Sequence, residues 1–446
     1  MSNKQAALEL GTKPVGALLM QYALPAIVAM VASSLYNMVD SIFIGQGVGA
    51  MAISGLAITF PLMNLSAAFG AAIGVGSSTF LSVKLGQRDY GIANIILGNC
   101  VALNILVGLL FGGIVLLFLD PILRFFGASD YTLPYARDYM EIILIGNAVT
   151  HLYLGLNAVL RAAGKPKAAM NLTIFTVILN AILDPLFIYT FGLGIRGAAY
   201  ATVLAQLFAL CWQWRLFSDK NSLLHLDYSK IKVQGRIVRS ILSIGVSPFA
   251  MNACACLVVI FINNSLAKYG GDMAVGAYGI ANRVAFVFVM ITIGVCQGMQ
   301  PIAGYNYGAQ NYNRLREVLK LSIISGTAIC ASGFLLCMLF PRLVARLFTV
   351  DETLIEMSIV ALRYMMAVFC IIGAQMVITN FFQSIGKAKV SIFLSLSRQL
   401  LFLVPALFLL PKWLGLEGVW LAMPVSDALA AIVAYVMLMA YIKKLK

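Results

Sequence analysis

Charge is what this sequence has least of. Among 446 residues only 11% are Asp, Glu, Lys or Arg, while 61% are hydrophobic, and mean hydropathy is +0.93. A soluble domain carries about 25% charged residues and about 45–50% apolar ones, so that class is excluded. Only two histidines occur, His151 and His225, and no triad, metal-ligand set or nucleophile elbow can be assembled with the sparse acids. No GxxxxGK[ST] exists, and Gly45, Gly47 and Gly49 lack the strand-to-helix setting of a nucleotide fingerprint, which leaves ATP without a site. The eight cysteines all fall in apolar segments with no CxxC spacing, so neither a redox pair nor a zinc site is expected, and packing is their role. The first apolar stretch, which begins near Pro14 and runs on well past about 20 residues, is not read as a cleavable signal, since it lacks an n-region followed by a small-residue cleavage site.

What is present is apolar length. Segments of about 20 residues or more, enough to cross a bilayer, are predicted near 15–46, 51–82, 92–119, 132–160, 168–191, 196–217, 236–267, 273–302, 317–340, 355–383, 388–410 and 416–442. With these twelve spans numbered in order, twenty-one of the 31 cations lie at the N-terminus, the even-to-odd connections and the C-terminus. The opposite loops hold eight cations mixed with nine acids. By the positive-inside rule both termini are cytoplasmic. The net charge of +14 is then an orientation signal, and no nucleic-acid partner is expected.

The chain repeats itself. Gly76 and Gly86 match Gly298 and Gly308 at a shift of 222, and Arg161-Ala162-Ala163-Gly164-Lys165 falls on Gln383-Ser384-Ile385-Gly386-Lys387. Gly194-Ile195-Arg196-Gly197 falls on Gly415-Leu416-Glu417-Gly418, and Leu24-Pro25 on Ser247-Pro248. The fold class predicted is an all-α membrane protein of two six-helix lobes, 1–217 and 236–446, joined by a polar cytoplasmic linker, 218–235. An even number of helices per copy relates the lobes by a pseudo-two-fold along the membrane normal.

Five charged residues lie well inside the spans: Asp40, Asp184, Arg283, Arg398 and Asp427. At a helix centre an Asp costs about 2.5–3.5 kcal/mol, and such residues mark ion or proton pathways. Asp40 and Asp184 both fall in the outer half, with Asn180 one turn before Asp184 on the same face, and Thr202 entering from the next span at a similar height. This cluster can work by protonation, or its oxygens can hold Na⁺ at Asp184, Asn180 and Thr202. Arg283 and Asp427 lie at equal depth with opposite charge and are expected to pair, with Arg398 as the competitor for Asp427. Pro25 is the expected hinge of the first span.

These residues carry a resemblance. Leu24-Pro25, Tyr36-Asn37-Met38-Val39-Asp40-Ser41-Ile42-Phe43-Ile44-Gly45, Lys84-Leu85-Gly86 and Asn180-Ala181-Ile182-Leu183-Asp184-Pro185 resemble the multidrug and toxic compound extrusion (MATE) family. The likeness is to its prokaryotic branch with an acidic cluster in the N-terminal lobe. It implies a secondary antiporter that exports amphipathic or cationic drugs in exchange for H⁺ or Na⁺, needs no cofactor and catalyses no reaction. It also implies coupling residues Asp40, Asn180, Asp184, Thr202 and Asn157, and substrate contacts at Asp40, Tyr36 and Asn37. The partners expected are small organic substrates and the bilayer of the inner membrane, around a monomer. A flippase for lipid-linked saccharides is the alternative, but an anionic head group would want several intramembrane cations, and only Arg283 and Arg398 lie deep.

Overall fold

The computed structural model describes residues 9–219, 222, 224–227, 231 and 233–443, with the side chains of 35–39, 41, 42, 45, 50, 256 and 272 outside the described set. Among the described residues there is no strand. Each predicted span is a helix or a bent pair of helices. In chain order these are α1 (Val15–Gly47), α2 (Ala50–Gly86), α3 (Tyr90–Leu117), α4 (Leu133–Ile145), α5 (Asn147–Ala162), α6 (Pro166–Pro185) and α7 (Ile195–Phe217). After the linker come α8 (Gly235–Gly271), α9 (Met273–Gly308), α10 (Tyr312–Leu339), α11 (Glu352–Met366), α12 (Phe369–Ser384), α13 (Ala388–Leu414) and α14 (Leu416–Ile442). The chain is therefore a multi-pass membrane protein: α4 with α5 make one span bent by 57°, and α11 with α12 one bent by 48°.

The bends follow local chemistry in different ways. The first falls at Gly146, which has no side chain to collide with Val203 of α7. The second, at Ala367 and Val368, has neither glycine nor proline to announce it. A π-helical turn, Leu186–Thr190, follows Pro185 at the end of α6, and another, Ser397–Leu403, interrupts α13. Extra residues inserted into a helical turn re-aim the side chains beside them.

The repeat is written into the backbone. Residues with positive φ recur at matched places: Gly49 and Gly271, Arg88 and Gln310, Gly164 and Gly386, Gly194 and Gly415. Side chains rarely adopt this conformation, so each pair marks the same kind of turn in both copies.

Packing divides the chain into two compact units, Met1–Lys13 with Val28–Phe249, and Pro14–Ile27 with Ala250–Lys446. Both α1 and α8 change unit within three residues of a proline, Pro25 and Pro248. Within the second unit, a side chain at Gly298 of α9 would collide with the backbone of Ala23, so the first half of α1 is held there by close contact. In the first unit, one apolar cluster gathers Ile44 of α1, Leu62 of α2, Tyr139 and Met140 of α4, Ile188 of the π turn and Ala198 of α7. The linker is docked on the same unit: buried Asn94 and Asn99 of α3 accept from the backbone N–H groups of His225 at 3.0 Å and Gln234 at 2.7 Å.

Candidate functional site

The site grows from helices that meet around the second half of α1. The turn between α6 and α7 contains Gly192 and Gly194, both at positive φ, so the two helices run back against each other. That places Asn180, Asp184 and Thr202 on facing surfaces, with exposures of 1%, 0% and 7%. Asp40 of α1 is 5% exposed, and its carboxyl group lies within hydrogen-bonding reach of that of Asp184. Oδ1 of Asp40 has no hydrogen-bond partner.

Asn180 fixes the geometry. With its amide oriented to satisfy both neighbours, its N–H donates to Asp184 Oδ2 at 2.8 Å and its oxygen accepts from the backbone N–H of Thr202 at 3.1 Å. Two carboxylates this close repel, whereas a shared proton turns the contact into a hydrogen bond. The low dielectric of the interior strengthens both effects.

Four residues predicted from sequence, Asp40, Asn180, Asp184 and Thr202, are thus brought together. Sequence reasoning missed a fifth, Tyr139. Its side chain is 1% exposed, and its hydroxyl meets the side chain of Thr202 close to both acids. The available signal was the apolar face of α4, where Ala136, Tyr139, Met140, Ile143 and Leu144 recur at helical spacing, but a tyrosine on such a face reads as core.

Asn157 does not join the cluster. It lies near the other end of α5, donates to Ala169 O at 3.2 Å and Thr173 Oγ1 at 3.3 Å, and accepts from Arg161 at 2.6 Å. Tyr36 and Asn37, the expected substrate contacts, lie outside the residues whose side chains are described. The pairing of Arg283 with Asp427 is corrected: Asp427 accepts from Arg398 Nε at 2.6 Å, while Arg283 is exposed. The π turn in α13 carries Arg398, and α13 and α14 are consecutive antiparallel helices across the Gly415 turn, so Arg398 reaches Asp427 from its nearest neighbour. His151 is buried on the α2 side of α5, with Nε2 3.2 Å from Ser66 Oγ.

Among the described residues no group of three or more His, Cys, Asp or Glu is placed to hold a metal ion, and the seven described cysteines are free. Multi-pass, all-helical, internally repeated and built around a buried carboxyl pair, the molecule has the construction of a membrane transporter. The family model MatE matches residues 25–186 and 248–408, more than half of the chain, and the chain belongs to that family, the MATE transporters. The two matches begin at Pro25 and Pro248, the same prolines that the internal repeat pairs. "Multidrug export protein MepA" of Staphylococcus aureus (strain N315) is 28% identical over 433 residues, covering 96% of this chain and 94% of that protein. A solved structure described as an outward-facing conformation of a multidrug resistance MATE family transporter of the MOP superfamily is similar at TM-score 0.92 and 25% identity, covering 99% of this chain and 98% of that one. A MATE structure in the bent conformation is similar at TM-score 0.93 and 25% identity, covering 98% of each chain. The relatives are named as transporters, and this chain is a transporter rather than an enzyme.

Proposed function

We propose that this protein is an antiporter of the inner membrane that exports amphipathic, often cationic organic compounds while protons move inward. The observation that carries the reading is the buried Asp40–Asp184 contact, two acids in mutual reach with one Asp40 oxygen unpartnered. With the pair ionised, the site offers negative charge to an organic cation. A proton taken up from the outer side removes that charge, and α1 responds by bending at Pro25. By linkage the proton drives export only as far as it binds the two arrangements with different affinity. The protein works as a monomer, and its loop charges favour both termini in the cytoplasm.

Proton coupling is preferred to Na⁺ on the acid pair itself: two carboxyl groups in mutual reach are held together by one shared proton. The flippase alternative loses ground because Arg398 is already neutralised by Asp427.

The test is uptake of a fluorescent organic cation into proteoliposomes under separately imposed pH and Na⁺ gradients. The pH gradient alone is expected to drive transport, and Asp40→Asn is expected to abolish it while the protein folds and inserts normally. Full transport by a well-expressed Asp40→Asn protein overturns the mechanism, and transport driven only by Na⁺ overturns the choice of ion.

A further inference from the structure

Below the acid pair the interior of the first unit does not turn apolar. On α6, Asn180, Thr176, Thr173 and Ala169 follow one another at spacings of four, three and four residues, which is a single helix face. On α5, Thr150, Tyr153, Asn157 and Arg161 do the same, and on α7 so do Thr202, Gln206 and Gln213. The three faces meet in successive rungs. Asn180 joins Asp184 and Thr202 at the top. One turn lower, Thr150 donates to Gln206 at 2.5 Å. The Tyr153 hydroxyl then meets those of Thr176 and Thr173, which themselves donate to Leu172 O at 2.8 Å and Ala169 O at 3.1 Å. Gln213 donates to Tyr153 O at 3.1 Å. Asn157 links Thr173 to Arg161 at the end of α5 that precedes the Gly164 turn.

A polar seam of this length costs more than helix association requires. Hydrogen bonds between membrane helices contribute little on average, and here Gln213, fully buried, is left with Oε1 unpartnered. The seam also joins an acid pair to the basic turn of Arg161 and Lys165. We propose that the proton released from the Asp40–Asp184 pair travels to the cytoplasm inside the first unit, along the α5–α6–α7 seam, with Thr176, Tyr153 and Thr173 as its carriers. This deepens the antiport reading and rests on it.

The chemistry balances. One carboxylic acid of the pair loses its proton and becomes a carboxylate. Each hydroxyl takes up one proton and gives up another, which Ser, Thr and Tyr can do because they donate and accept at one atom. The proton ends on water beside Arg161. Four residues of helix span about 6 Å, the reach of one water hydrogen-bonded on both sides; the first step, eight residues from Asp184 to Thr176, spans about 12 Å and takes two waters in line past Asn180. The amides of Gln206 and Asn157 orient the hydroxyls of Thr150 and Thr173. The ionisable groups along the seam are Asp40, Asp184 and Tyr139 at the top, Tyr153 in the middle and Arg161 with Lys165 and its neighbour Asp219 at the bottom; His151 faces Ser66 on another side of α5.

The experiment compares two modes of transport in proteoliposomes for Tyr153→Phe and Thr176→Val, both nearly isosteric. Transport driven by a pH gradient requires the proton branch of the cycle, whereas substrate counterflow at equal pH does not. The expected result is at least a tenfold loss of pH-driven transport with counterflow at the wild-type rate. Equal loss in both modes assigns the seam to structure and overturns the proposal, as does wild-type pH-driven transport in both variants. A slowdown confined to His151→Gln moves the path to the α2 side and overturns it as well. If the wild-type protein itself ignores a pH gradient, the antiport reading fails first and the relay fails with it.

Discussion

Arg398 shows how one side chain can answer two neighbours in the sequence and only one in space. Depth along a helix is readable from residue number, and by depth Arg283 suited Asp427; the direction a side chain points around the helix axis is not readable, and the π turn of Ser397–Leu403 shifts it further. Asp427 retains 10% of its side-chain exposure and Arg398 33%, so removing the arginine strands a mostly buried carboxylate. Arg398→Leu is expected to cost about 3 kcal/mol, the low end for breaking a buried pair because the arginine is partly open. Arg398→Leu with Asp427→Leu should recover most of that loss, and Arg283→Leu should cost almost nothing, all read from melting of the detergent-solubilised protein. Tyr139 is the residue-scale counterpart in the candidate site. Loss of its hydroxyl in Tyr139→Phe removes one hydrogen bond of about 1 kcal/mol, predicting roughly a fivefold slower pH-driven transport with only a small drop in melting temperature.

At the scale of elements, span positions were legible because twenty consecutive apolar residues have few other uses, and the predicted ends fall within about six residues of the observed ones. Asp40, Asp184, Asn180 and Thr202 were legible for the opposite reason: polar groups stand out where everything else is apolar. The two bent spans were not. A proline announces a kink, but α4 and α5 break at a glycine, and α11 and α12 at Ala367 and Val368, where only tertiary packing decides. Helix crossings are likewise set by residues that look featureless in sequence. A Cβ at Gly373 of α12 would strike the backbone of Gly326 and Thr327 on α10, and backbone cannot rotate aside. Gly373→Val is therefore expected to destabilise by about 3 kcal/mol, the upper end for overpacking. Gly113 of α3 has open space around its Cβ position, and Gly113→Ala should gain up to about 1 kcal/mol from helix propensity. Opposite shifts in the melting temperature of the two variants check both.

The whole molecule adds a constraint that no single site supplies, because direction of transport depends on orientation in the membrane. On the side where the sequence places few net charges, five of the eight cations are each matched with an acid: Arg124 with Asp130, Arg137 with Asp120, Arg196 with Asp138, Arg342 with Glu356 and Arg346 with Glu352. Exposed pairs of this kind stabilise little, but they cancel charge, and uncancelled Lys and Arg are what retain a loop in the cytoplasm. Gln87, in the turn between α2 and α3, and Ser129, between α3 and α4, are both exposed and should lie on opposite faces. In a background without native cysteines, Ser129→Cys is expected to react with an impermeant thiol reagent on intact cells, and Gln87→Cys only after lysis. The reverse pattern would turn the molecule over, putting the Asp40–Asp184 pair near the cytoplasm and the Arg161 end of the seam outside. A proton moving inward would then enter at the Arg161 end and discharge from the acid pair to the cytoplasm, the reverse of the route proposed, so the labelling result bears on the direction of the relay as directly as on the fold.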